Sequence, residues 1–223
     1  MTTSIMQTTT ELDEARDHYR NRVIPPEKLK VLDRATEELI ASVLKDSALK
    51  EGDRVADFIL PDAHGAPVRL QSLLETGPVV ISFYRGGWCP YCNIELRGLE
   101  RSLAEIKALG ASLVGVSPQL PDNSLSTEEK NHLTFPVLSD VGNVIARRFG
   151  IVFKLPDDLL DTYEAFNHGL ADMNGEEGAA ELPMPATYVL DRSGVIRLAF
   201  IEEDYTKRLD PQTILEALRE LGK

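Results

Sequence analysis

The stretch Val79-Val80-Ile81-Ser82-Phe83-Tyr84-Arg85-Gly86-Gly87-Trp88-Cys89-Pro90-Tyr91-Cys92 decides how this chain reads. Its first six residues form an unbroken β-branched and aromatic run, the pattern of a strand buried on both faces of a sheet. Two glycines end the run, and Pro90 opens a helix. Proline at a first helical position surrenders a backbone donor that would have no intrahelical partner anyway. Cys89 therefore falls at the N-cap of a helix predicted from Pro90 to Leu109, with Gly110 as its stop. Cys92, Leu96, Leu99, Leu103 and Ile106 form its apolar stripe. Ser112 to Ser117 reads as a second buried strand. Strand, helix, strand is a βαβ unit, for which a right-handed crossover is expected.

Working outward, Val137-Leu138 reads as a short strand or extended chain entering a helix over Val141 to Phe149. Residues 154–183 are acidic and contain glycine, and are expected to be an insertion or flexible flap with a short helix from Asp157 to His168. Ala186–Leu190 and Val195–Ile201 are strands joined by a turn at Asp191-Arg192-Ser193-Gly194. Asp210 caps a final helix with Pro211 in its first turn. Upstream, Asp53–Leu60 is extended, Pro61–Gly65 turns, and Val68–Leu74 leads to Gly77-Pro78. The pattern predicts an α/β fold with a central mixed sheet flanked by helices.

Residues 1–50 read as a separate helical extension, ahead of a main domain over 51–223. Thr10 is expected to cap a short helix running through Arg20, Pro25-Pro26 interrupts it, and a second helix runs from Glu27 to Leu49. Leu29, Leu32, Thr36, Leu39, Ile40, Val43 and Leu44 share one face of that helix. Packing on the main domain is the favoured reading of this face, and a homodimer contact is the alternative.

The net charge of −12 over 223 residues excludes two partner classes. An acidic surface repels nucleic-acid phosphates and anionic membranes. No apolar run approaches the roughly 20 residues of a membrane span. Met1–Thr10 is polar, without the basic-then-apolar order of a secretory signal, so a cytoplasmic location is expected.

The chain has two cysteines, Cys89 and Cys92. A disulfide closing so small a loop constrains the unfolded chain little, so a purely structural bridge is disfavoured. At a helix N-terminus the free N–H groups and the macrodipole favour an anion, which lowers a thiol pKa. Cys89 is expected to be the reactive, more exposed nucleophile, and Cys92, on the apolar stripe, the less exposed resolving thiol. The pair can then cycle between dithiol and disulfide. Zinc is a weak rival: there is no second CxxC, and His18, His64, His132 and His168 are scattered. No cofactor is expected.

Around the pair, Trp88 and Tyr91 are expected to shape an apolar rim, and Glu95 and Arg97 to be solvated charges. Asp191 is expected to serve the hairpin turn. Pro185 precedes a strand, and its functional reading is a cis peptide after Met184, whose exposed backbone sits beside the cysteines and pairs with an incoming chain.

Val55-Ala56-Asp57-Phe58-Ile59-Leu60-Pro61-Asp62-Ala63-His64-Gly65 resembles the opening of the alkyl hydroperoxide reductase/thiol-specific antioxidant family, peroxiredoxin-like members of the thioredoxin superfamily. Thr134-Phe135-Pro136-Val137-Leu138-Ser139-Asp140 does so too, and Thr187–Asp191 with Gly194–Arg197 resembles the closing hairpin of that family. The resemblance covers about Gly52 to Leu221, apart from 154–183. It implies a thioredoxin-like fold and reduction of hydroperoxides, with Cys89 peroxidatic, Cys92 resolving, and a glutathione- or thioredoxin-type donor resetting the disulfide. The chain departs from that family at two positions. Gly86 stands where the family places Thr, and Pro185 where it places an Arg. Arg85, Arg147 and Arg148 are the candidates to supply the missing charge. Three functions fit this pattern: a peroxidase, a disulfide reductase or oxidase, and a non-catalytic redox sensor.

Overall fold

The computed structural model describes residues 5–166 and 168–222. The N-terminal extension holds α1 (Ile5–His18), a π-helical turn (Tyr19–Val23) and α2 (Pro26–Ala41). Thr10 lies inside α1 instead of capping it, because tertiary packing sets where this helix begins. Thr8 is buried against the helix Pro90–Ala108 at Gly98, where an added Cβ would come within 2.6 Å of the Thr8 hydroxyl. Arg101 donates to that hydroxyl at 2.9 Å and to Glu11 at 3.1 Å. Leu12 adds an apolar contact to the same core. Gly98→Val is expected to prise α1 from this helix and to destabilise the protein by about 1–3 kcal/mol, the usual range for overpacking, as read from denaturant unfolding.

The second helix of the extension stops at Ala41, short of the expected Leu49. Val43 adopts a left-handed backbone with φ of 51°, and a 3-10 turn (Leu44–Ser47) succeeds it. The apolar face of α2 packs on the main body of the chain: Leu32 and Ala35 meet Leu155, Leu159 and Tyr163. Arg34 and Asp158 form an ion pair across the same contact.

The main body begins with a small hairpin, β1 (Ile59–Pro61) and β2 (Pro67–Arg69), and α3 (Leu70–Thr76). The deciding stretch forms β3 (Val79–Phe83) and α4 (Pro90–Ala108). Next come β4 (Ser112–Ser117), α5 (Pro121–Asn131), β5 (Val137–Ser139) and α6 (Val144–Arg148). The stretch 152–183, which includes the expected insertion, contains β6 (Val152–Lys154), α7 (Asp157–Ala165), α8 (Leu170–Asn174) and β7 (Glu181–Pro183). The chain closes with β8 (Ala186–Leu190), β9 (Ile196–Ile201) and α9 (Pro211–Leu221).

The central sheet has the order β5-β4-β3-β8-β9, with β3 parallel to β4 and antiparallel to β8. Every β3 residue is buried, as an uninterrupted apolar run at the centre of a doubly covered sheet must be. On one face Val80 and Val189 meet Leu12 of α1, the stripe of α4, and Ile214, Leu215 and Leu218 of α9. On the other, Ile81, Phe83 and Tyr188 pack with Leu70, Leu74 and Phe149.

One helix is unannounced by the sequence, and two local expectations change. Helix α5 has no apolar periodicity to announce it, because its inward stripe buries polar groups: Ser124, Thr127 and Asn131. The insertion is not a free flap. Its base is clasped by the β6–β7 pairing, with Val152 opposite Pro183, and Leu155 donates to the Ala180 carbonyl at 2.9 Å. The helix expected there ends at Ala165, and Asn167, which fell within that expectation, lies outside the described residues. The turn and the cap read from local residues are in place: Asp191 accepts from the Ser193 and Val195 N–H groups, and Asp210 accepts from Gln212 at the start of α9.

Candidate active site

The loop from Tyr84 to Trp88 carries the chain from the end of β3 into α4. Its two glycines have separate reasons. Gly86 takes φ of 151°, and a Cβ there would lie 2.4 Å from the Trp88 indole nitrogen. A Cβ on Gly87 would lie 2.2 Å from the Thr127 hydroxyl. The threonine that the family resemblance leads one to expect at position 86 therefore has no room. Polar groups of α4 and of the β4–α5 connection hold the loop: Gly87 donates to Gln119 at 2.8 Å, and its carbonyl accepts from Asn93 at 2.8 Å. Asn131 donates to Asn93 at 2.8 Å behind it.

Cys89 is the N-cap of α4, with φ −82° and ψ 118°, and its carbonyl accepts from the Asn93 N–H. No side chain caps this helix, which leaves the sulfur beside the first-turn N–H groups. Both cysteines are free thiols. Cys89 is 1% and Cys92 0% exposed. The expectation that Cys89 is the more exposed thiol is thus corrected: the extension and the insertion both fold over the helix N-terminus that would otherwise face solvent.

Burial by itself pushes the Cys89 thiol up. The Cys92 thiol donating to it, the Arg85 and Arg208 charges, and the Cys92 N–H together overcome that and hold it well below the usual thiol range. Cys92 moves the opposite way, pushed well up by burial and by the Cys89 charge beside it. The two environments divide the pair into one anion and one neutral thiol.

Two buried guanidiniums flank the pair. Arg208, from the segment between β9 and α9, donates through Nη2 to Cys92 Sγ at 2.9 Å and through Nε to Glu95 at 2.5 Å. Glu95 is 3% exposed, which corrects its expected role as a solvated charge. Burial raises its carboxyl and Arg208 pulls it back, leaving it at about 7. Arg97 is partnered too, donating to Asn131 at 2.9 Å. Arg85 is 2% exposed and hydrogen-bonds the Tyr163 hydroxyl. Its guanidinium lies 4.8 Å from the Trp88 ring centroid, 5.3 Å from Tyr163 and 4.8 Å from Tyr205. Such a cage keeps a desolvated cation charged. Of the three arginines named from the sequence, only Arg85 reaches the cysteines. Arg147 pairs with Glu181 at 2.6 Å, and Arg148 is exposed.

Trp88, Pro90 and Tyr91 line a cavity of about 260 Å³ with Cys89 and Arg85, so the expected apolar rim is in place. Met184 is not part of it. Met184 packs in the core on the opposite sheet face, and its N–H donates to the Ile151 carbonyl at 2.8 Å. Pro185 precedes the Ala186–Phe83 register pair, at the sheet end where the cysteine loop begins. However, the described peptide bonds are all trans, and the Pro185 carbonyl accepts from Glu202 at 3.0 Å. The residue after β9 thus occupies the backbone that was expected to pair with an incoming chain.

Sequence reading missed Arg208, Tyr163 and Tyr205. Each arrives from a segment distant in sequence, and no spacing relates them to Cys89. The available signal was the unusual company of Tyr205 and Arg208 in a polar connection.

The AhpC/TSA family model matches residues 52–199. A putative peroxiredoxin of Mycobacterium tuberculosis is 40% identical over 106 residues, which are 46% of this chain and 67% of that protein. The chloroplastic peroxiredoxin Q of Sedum lineare is 31% identical over 150 residues, 67% of this chain and 68% of that protein. The crystal structure of peroxidoxin BcpB from Mycobacterium tuberculosis superposes with a TM-score of 0.61 at 27% identity, covering 77% of this chain and 97% of that one. By sequence and by fold, the chain belongs to the AhpC/TSA family, peroxiredoxin-like proteins of the thioredoxin superfamily.

Proposed function

We propose that this protein is a thiol-dependent peroxidase in which Cys89 attacks a hydroperoxide and Cys92 resolves the product as a disulfide. The observation that carries the reading is the placement of Cys89: a helix N-cap beside Arg85 and Arg208, with Cys92 as its hydrogen-bond donor. A thiolate is the nucleophile in such chemistry. It attacks the terminal peroxide oxygen, the O–O bond breaks, and the leaving oxygen departs with the bonding pair. Sulfur is oxidised by two electrons to a sulfenic acid, and the alkoxide or hydroxide takes a proton to become alcohol or water. The guanidiniums stabilise charge as it passes from sulfur to the leaving oxygen, the role of a preorganised electrostatic site.

In the second step the Cys92 thiol loses its proton, attacks the Cys89 sulfur and forms the disulfide. The displaced hydroxide leaves as water with that proton. Arg208, which donates to the Cys92 sulfur, stabilises it as it gives up that proton. Two thiols from a thioredoxin- or glutathione-type donor restore the dithiol.

Rapid mixing of the reduced protein with hydrogen peroxide tests this reading. Trp88 is the sole tryptophan and adjoins Cys89, so its fluorescence should change at a rate proportional to peroxide and return on adding a thiol. A response no faster than that of an ordinary free thiol, beside a fast response to disulfides, would favour the disulfide-reductase alternative.

A further inference from the structure

The cavity over Cys89 is walled by two segments besides the loop and helix that carry the cysteines. One is the π-helical turn Tyr19–Val23 with Ile24, ahead of the matched residues 52–199. The other is the insertion, through Tyr163 and Phe166. The turn is fixed in place. Ile24 donates to the Tyr19 carbonyl at 2.9 Å, and Arg20 makes a two-point contact with Asp33 of α2 at 2.6 and 2.9 Å. Single π-helical turns concentrate at functional sites. Here one lies over the nucleophile.

The lining is dominated by rings. Tyr19 meets Tyr91 with centroids 6.1 Å apart, Trp88 meets Tyr163 at 5.2 Å, and Tyr91 meets Tyr205 at 5.8 Å. Within this wall the Arg85 Nε, the Trp88 indole nitrogen and the Tyr91 hydroxyl are buried without a hydrogen-bond partner among the described residues. Buried donors in an apolar site await an acceptor, because leaving them unpaired is unfavourable. A hydroperoxide group brings two oxygens that can accept from such donors.

We infer that the Tyr19–Ile24 segment and the insertion form a specificity pocket for compact aryl hydroperoxides, with the ring held among the aromatic side chains and the peroxide oxygens at Arg85 and Cys89. Size supports a compact group. A cavity of about 150 Å³ takes a benzene molecule, so 260 Å³ takes an aryl ring with a short branched substituent and leaves little apolar wall for a long chain. Ring-to-ring contacts favour an aryl group over an aliphatic one of equal area.

The inference rests on the peroxidase reading, and the experiment separates the two. Reduced full-length protein is mixed rapidly with cumene hydroperoxide, hydrogen peroxide or linoleic acid hydroperoxide, and Trp88 fluorescence gives each second-order rate constant. Cumene hydroperoxide is expected to exceed both others by about tenfold or more, the scale on which an apolar pocket discriminates by size. Ile24→Phe, which narrows the pocket, and Tyr19→Ala, which opens its wall, are each expected to lower the cumene-to-hydrogen-peroxide ratio. Equal or inverted rates in the wild-type protein would overturn the aryl pocket, as would a faster linoleic acid hydroperoxide, with no variant needed. If none of the three oxidises Cys89 faster than a free thiol, the peroxidase reading fails and the inference falls with it.

Discussion

Cys89→Ser is expected to abolish peroxide turnover, and Cys92→Ser to leave the first oxidation intact while stalling the cycle after it. The difference arises from what each sulfur is given. Cys89 has the helix N-terminus, the Cys92 donor and two guanidiniums to stabilise a negative charge. A serine hydroxyl in the same place stays protonated and attacks peroxide negligibly, because nothing in the site lowers a hydroxyl pKa enough. Cys92 is neutral and donates to Cys89. A serine at position 92 can still donate, so thiolate formation survives, but it cannot form the disulfide. The sulfenic acid should therefore persist and be captured by dimedone, giving one adduct per chain by mass spectrometry. In the wild-type protein the disulfide should form first and leave little adduct. Full turnover by Cys89→Ser would assign the nucleophile elsewhere.

Arg208→Met should have the next largest effect, on both reactivity and stability. Arg208 touches Cys92 Sγ at 2.9 Å and Glu95 at 2.5 Å, with all three groups buried. Its removal takes away a positive charge that lowers the Cys89 thiol, an effect of about 1–3 pKa units for an opposite charge at close range. The pH profile of alkylation by iodoacetamide should shift upward accordingly. The stability consequence has a definite sign. A thiol depressed in the folded state contributes stability that is present above its unfolded pKa and lost as pH falls through the folded value. Arg208→Met narrows that window from the acid side.

The same substitution strands Glu95. Breaking a buried ion pair by removing one partner destabilises by about 3–5 kcal/mol, and Glu95 should respond by holding its proton well past its present value of about 7. The double substitution Arg208→Met with Glu95→Gln removes the stranded charge. It should regain most of the stability measured by denaturant unfolding and none of the low-pH alkylation. If the double variant recovered both, Arg208 would be a structural cation alone.

Much of this was legible in the residues. The run Val79–Tyr84 ahead of Pro90 fixed β3, α4 and the N-cap position of Cys89, since a buried strand, a proline at a first helical turn and an i, i+3 cysteine pair are local facts. Helix α4 ends at Ala108 against an expected Leu109, and β4 spans the expected residues. The hairpin turn at Asp191 and the cap at Asp210 are local too, and both stand where their residues place them. The resemblance in residues 55–65, 134–140 and 187–197 placed the family.

What escaped the sequence was everything that depends on distant segments meeting. Arg208 and Cys92 are 116 positions apart, and Arg85 and Tyr163 are 78 apart. No periodicity connects such pairs. Glu95 reads as a surface charge because carboxylates usually are, and only a buried guanidinium arriving from beyond β9 makes its burial tolerable. The exposure of Cys89 went the same way: the sequence determined that it is a helix N-cap with a lowered pKa, but the fold decided that it lies beneath two aromatic-bearing segments. Local steric and dipolar rules are written into neighbouring residues. Desolvation and long-range charge pairing are set by which surfaces the folded chain presses together, so they belong to the tertiary structure.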